Sequence, residues 1–173
     1  MAIILGIDPG SRITGYGIVH ETNSRIEYID SGCIRTDTDG ELKDKLLQIY
    51  NGICQLMDEY SPNEVAIEQI FMHQNASAAL KLGHARGVAM VAAASHRVPI
   101  SEYSPREIKQ SVVGYGAAEK TQVSHMVVQL LLLNKAPQKD AADALAIAIC
   151  HSHMRNGLVA RIGQKGLRGR RTR

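Results

Sequence analysis

Apolar positions gather into short blocks at the start of the chain and spread to helical spacing further on. The run Ile3-Ile4-Leu5-Gly6-Ile7 is closed by a carboxylate, Asp8, and residues 2–8 read as a buried strand. Thr14 to Glu21 and Arg25 to Thr36 follow across short turns and predict an antiparallel meander of three strands, with Gly15 and Gly17 allowing close backbone approach in the second. Leu42, Leu46, Ile49, Ile53, Leu56 and Met57 then fall three and four apart, which predicts an amphipathic helix over 41–60. Ser61-Pro62-Asn63 stops it. Val65 to Ile70 is a short apolar strand expected beside the first. An Ala-rich helix over 75–95 and a strand over 98–103 come next. Pro105 suits the first turn of a helix to about Val113. Beyond the Gly114-Tyr115-Gly116 loop, helices are expected over 119–133 and, after Pro137, over 139–154. Hairpin-linked strands followed by alternating strands and helices predict an α/β domain: a mixed five-stranded sheet with helices on both faces.

Composition narrows the picture. At 173 residues with 45% hydrophobic content, the chain fits one domain with a sizeable core. No apolar run approaches the ~20 residues of a membrane span, and Met1 to Ile7 has no positive residue and is too short for a signal-peptide core. Cys33, Cys54 and Cys150 are odd in number and form no C-x-x-C pair, as expected of reduced thiols in a cytoplasmic protein. The net charge of +3 hides an asymmetry: residues 161–173 carry six basic residues and no acid. A single folded domain over 1–155 and a basic, disordered tail over 156–173 are therefore expected. Such a tail can touch nucleic acid or simply aid solubility.

Acids interrupt the apolar pattern in three distant places: Asp8 at a strand end, Glu68 within Val65-Ala66-Ile67-Glu68, and the pair Asp140 and Asp143 in Asp140-Ala141-Ala142-Asp143-Ala144. A buried carboxylate is costly unless paired or bound to a cation. Asp140 and Asp143 are i and i+3 and share a helix face. Asp140 alone also suits a helix N-terminus, but capping explains neither Asp8 nor Glu68. Four clustered carboxylates call for a hard divalent cation with oxygen ligands, and two such ions ~3.5–4 Å apart suit phosphodiester hydrolysis. His151 and His153 diverge on a helix and there is no H-E-x-x-H spacing, which disfavours zinc.

The segments Ile7-Asp8-Pro9-Gly10-Ser11-Arg12, Ala66-Ile67-Glu68-Gln69, Ala78-Ala79-Leu80-Lys81-Leu82-Gly83 and Asp140-Ala141-Ala142-Asp143-Ala144 closely resemble the RuvC family of bacterial Holliday junction resolvases. The resemblance runs from Met1 to about His153. It implies a ribonuclease H-like fold, a homodimer, four-way junction DNA as substrate, paired nicks, and work alongside the RuvAB branch-migration motor. It also implies that Asp8, Glu68, Asp140 and Asp143 are catalytic metal ligands for two Mg²⁺ ions, with Mn²⁺ as a substitute.

Basic and aromatic residues take roles within that reading. Lys109 and Lys120 flank the Gly114–Gly116 loop and suit phosphate clamping, and the resemblance favours that over plain surface lysines. Arg12, Lys81 and Arg86 are further candidates for DNA contact. Phe71, the single phenylalanine, follows Glu68 by three residues. The resemblance implies that it stacks on an unpaired base, whereas a core role is the other reading. An actin-like sugar kinase or ATPase also opens on a strand–Asp–Gly turn, but it needs a second phosphate-binding half for which 173 residues are too few. A junction-binding protein without catalysis is the remaining rival.

Overall fold

The computed structural model describes residues 1–23, 25–70 and 76–168, with side chains to Gly157. Strands β1 (Ala2–Asp8), β2 (Ile13–Thr22) and β3 (Arg25–Arg35) form the expected meander. After helix α1 (Leu42–Tyr60), strand β4 (Glu64–Glu68) returns parallel to β1, with Ile7 opposite Ile67. Helix α2 (Ala76–Ser95) leads to β5 (Ile100–Tyr103), parallel to β4. Helices α3 (Pro105–Val113), α4 (Lys120–Leu130) and α5 (Lys139–Arg168) complete the order. The sheet runs β3-β2-β1-β4-β5.

Strand alternation explains the two layers. Leu5, Ile7, Ile18, Val65 and Ile67 pack with α1 and α2, while Ile4, Val19 and Ala66 pack with α3, α4 and α5. Asp8 and Glu68 continue the even-numbered series Ile4–Gly6 and Glu64–Ala66. Both therefore project from adjacent strand ends on the side covered by α5.

Three glycines let α5 lie close. A Cβ on Gly6 would strike the Ala144 carbonyl, one on Gly15 the Asp140 carbonyl, and one on Gly17 would sit 2.7 Å from the Leu145 nitrogen. Small residues on the helix complete the fit, with Ala141, Ala144 and Ala148 fully buried. The first turn of α5 is thus pressed onto the strand ends that carry Asp8.

Some boundaries differ from the expected ones. β4 ends at Glu68 rather than Ile70, and β5 starts at Ile100 rather than Val98. α4 closes at Leu130, because Leu132 takes a left-handed φ of 52°. α5 continues past the expected end at Met154 to Arg168. Gly157 is a weak helix former yet does not break it. Among the described residues no helix is long and apolar enough to cross a membrane.

Candidate active site

The acids gather at one end of the sheet without closing into a ligand set. Asp8 ends β1, Glu68 ends β4 in the adjacent register, and Asp140 and Asp143 occupy the first turns of α5. Burial pushes the Asp8 carboxyl up to about 8, helped by the charges of Glu68, Asp143 and Asp140 and opposed by Lys120. Glu68 also moves up, chiefly through burial and then Asp143. Lys120, Lys109 and a hydrogen bond with Asp8 pull it back. Three elements far apart in sequence therefore share one electrostatic site.

Lys120 and Lys109 reach this site from α4 and α3. Lys120 Nζ donates to Asp143 Oδ2 at 2.8 Å. Burial acts to lower the Lys120 pKa, but the hydrogen bond and the charges of Asp143, Asp8 and Glu68 outweigh it and the net shift is upward. Helix ends fix both lysines. Ser104 caps α3 in a reciprocal capping box with Glu107, followed by Pro105. At the start of α4 the Gln122 side chain accepts from the Glu119 N–H at 2.8 Å. A cavity of about 200 Å³ is lined by Glu68, Lys109, Lys120 and Asp143 above apolar Ile108, Val123 and Ile147.

The other sequence candidates lie elsewhere or are otherwise engaged. Arg12 is exposed in the β1–β2 turn, where its carbonyl accepts from the Thr36 N–H at 3.0 Å. Lys81 is exposed on α2. Arg86 is not a free surface cation: its Nε donates to the Glu68 carbonyl at 3.0 Å and its Nη2 pairs with Glu102. Phe71 lies outside the described residues. Sequence reasoning foresaw neither the direct Lys120–Asp143 bond nor the Arg86 link to Glu68. Charge spacing gave no sign of which lysine would pair with an acid.

These donors suit a hard divalent cation: all four are carboxylates, and the charges of Glu68, Asp143 and Asp140 disfavour ionisation of Asp8. Among the described residues no three Asp, Glu, His or Cys side chains converge as a ligand set.

A pH dependence follows from the raised Asp8 pKa. The unfolded chain loses this proton near pH ~3.9, whereas the folded one holds it to about 8. Between those values the folded state binds more protons, so its stability falls as pH rises. In EDTA the melting temperature is expected to drop between about pH 5 and 8.5, and Asp8→Asn should flatten that slope. Scanning calorimetry at several pH values checks this. An identical slope in the variant would contradict it.

The model of the family described as Crossover junction endodeoxyribonuclease RuvC matches residues 4–151. A Legionella pneumophila (strain Lens) protein called Crossover junction endodeoxyribonuclease RuvC is 78% identical over 173 residues, covering 100% of this chain and 99% of the relative. A Tolumonas auensis protein of the same name is 56% identical over 164 residues, covering 95% and 94%. The solved structure described as T. thermophilus RuvC in complex with Holliday junction substrate matches with a TM-score of 0.85 at 32% identity, covering 94% of this chain and 97% of that one. With matches along its whole length, in the same fold, the chain belongs to the RuvC family of crossover junction endodeoxyribonucleases and shares its ribonuclease H-like sheet.

Proposed function

We propose that the chain is a structure-selective endonuclease that resolves Holliday junctions in recombination and DNA repair. The observation that carries this is the coupling of Asp8, Glu68 and Asp143 at one end of the sheet, with Asp140 beside them. The family implies divalent metal dependence. In this reading the four acids would hold two Mg²⁺ ions, with Mn²⁺ as a substitute. When bound, such ions would activate water and stabilise charge on the leaving 3′ oxygen, so that 5′-phosphate and 3′-hydroxyl ends are expected.

The chain's own groups do the rest. Lys109 and Lys120 hold the scissile phosphate over the acids, and Lys120 exchanges its Asp143 partner for that phosphate. Arg12 and Lys81 contact more distant backbone, and Phe71 stacks on a base opened at the junction centre. Residues 1–155 form the nuclease domain, and the basic segment 156–173 adds salt-sensitive affinity.

Two symmetric cuts require two sites, hence a homodimer with two-fold symmetry. α2 supports this reading. Ala85, Ala89, Ala92 and Ala93 are buried in the core layer shared with α1, while Leu80 and Val91 are 63% and 61% exposed. A Cβ on Gly83 or Gly87 would meet nothing within 4 Å. This outward stripe of apolar and small residues suits a second copy of the helix. The RuvAB motor is the partner that presents the junction.

A synthetic four-way junction tests the proposal. Paired nicks with Mg²⁺, none in EDTA and none on linear duplex are expected. Tight junction binding without cleavage under any divalent cation would favour a non-catalytic binding protein.

A further inference from the structure

The main chain of Glu68 is held by a side chain that no catalytic step uses. β1 reaches Pro9 one residue after Asp8, and proline has no N–H with which to extend the ladder to β4. On the other side, the Gln69 N–H still donates to the Tyr103 carbonyl at 2.8 Å. The Glu68 carbonyl accepts from Arg86 Nε at 3.0 Å, and Arg86 Nη2 pairs with Glu102 on β5. The Arg86 side chain is 19% exposed and Glu102 is 43% exposed. Glu102 lies in register with Ile67, on the α2 side of the sheet. A planar guanidinium can bridge a carbonyl and a carboxylate at once, which an ammonium cannot reproduce.

We propose that Arg86 is a positioning residue: it fastens the end of β4 to α2 and β5 and so holds the Glu68 carboxylate beside Asp8. The inference rests on the acid-site reading above and adds a requirement to it. Arg86 itself touches neither DNA nor cation. The helix that carries it also presents the exposed Gly83–Gly87 stripe, so the contact ties the acid to the face proposed for dimerisation.

Arg86→Gln, Arg86→Lys and Glu102→Gln test it in the full chain. Mn²⁺ binding to the free protein is followed by electron paramagnetic resonance, alongside single-turnover junction cleavage, junction affinity in EDTA and melting temperature. Both Arg86 variants should raise the half-saturating Mn²⁺ concentration and slow cleavage about 10–100-fold, the range for loss of a group that orients a metal ligand. Junction affinity and its salt dependence should stay unchanged. Arg86→Lys keeps the charge and guards against a misfolded Gln variant. Glu102→Gln should shift both readings the same way to a smaller extent. If Arg86 were instead a phosphate contact, its variants would weaken junction binding and lower the salt slope by ~1, and Glu102→Gln would tighten binding. Either that pattern, or a lowered melting temperature with unchanged Mn²⁺ binding, overturns the proposal. Glu68→Gln is the separate control: if it leaves Mn²⁺ binding and cleavage intact, the acid-site reading has failed and the Arg86 role falls with it.

Discussion

Asp8→Asn is expected to cut four-way junction cleavage by roughly 10²–10³-fold or more, the scale on which loss of one preorganised electrostatic group slows catalysis. Glu68→Gln should do the same. Junction affinity should survive or tighten in both, because affinity comes mainly from cationic contacts to phosphate and each substitution removes negative charge from the site. Stability supplies an independent sign. Asp8 is held neutral to about pH 8 by burial and neighbouring acids, so an amide there removes a strained ionisation and should raise the melting temperature above that pH. Loss of cleavage together with gain of stability separates a catalytic acid from a structural one. Cleavage at near wild-type rate by either variant would overturn the assignment.

The acids were legible because each breaks an otherwise apolar pattern. Glu68 ends a strand whose preceding residues Val65, Ala66 and Ile67 are fully buried or nearly so, and Asp143 lies among buried alanines. The strand order was legible for a similar reason, since short turns force β1, β2 and β3 into hairpins. Arg86 was not legible as a clamp. Its partner is a main-chain carbonyl, which every residue possesses, so side-chain pattern carries no trace of it. A second acid-bearing cluster was missed as well. Glu21 and Glu64 sit on the same sheet face as Asp8 and Glu68, but at the opposite end. Arg155 donates to both, at 3.1 Å and 3.0 Å, and Ser152 donates to Glu21. His151 lies between the Tyr103 hydroxyl at 2.8 Å and Glu64 at 2.6 Å. Glu64 stands four residues before Glu68 on the same strand, and that even spacing was the signal available. Only the register of α5 distinguishes a self-neutralised cluster from one that needs a cation.

Gly87→Leu is expected to convert paired nicks into single nicks. The position opens to solvent, with nothing within 4 Å of a Cβ, so the protomer has room for the side chain. It should gain helix propensity of up to ~1 kcal/mol. In a close helix pair the same side chain overpacks the contact, at a cost of about 1–3 kcal/mol, or about 5–150-fold in the dimer dissociation constant. Two copies of the substitution meet across a two-fold axis, so the effect is felt twice. Sedimentation velocity and the ratio of linear to nicked circle from a cruciform plasmid measure the two consequences. A variant that stays dimeric while cutting normally would move the interface to another face. A wild-type chain that sediments as a monomer, both free and on junction DNA, would rule out the dimer.

The long helix α5 behaves as a beam clamped at two points. One clamp is the glycine row under Asp140, Ala144 and Leu145. The other is the set of bonds that His151, Ser152 and Arg155 make to Glu64 and Glu21. About 16 Å of helix separates Asp140 from His151 at 1.5 Å per residue. A rod fixed at one end can pivot, whereas a rod fixed at both ends has to bend its bed. The gap between the α5 acids and Asp8 thus inherits the stiffness of the whole sheet rather than that of a loop, and it holds until the sheet itself gives way.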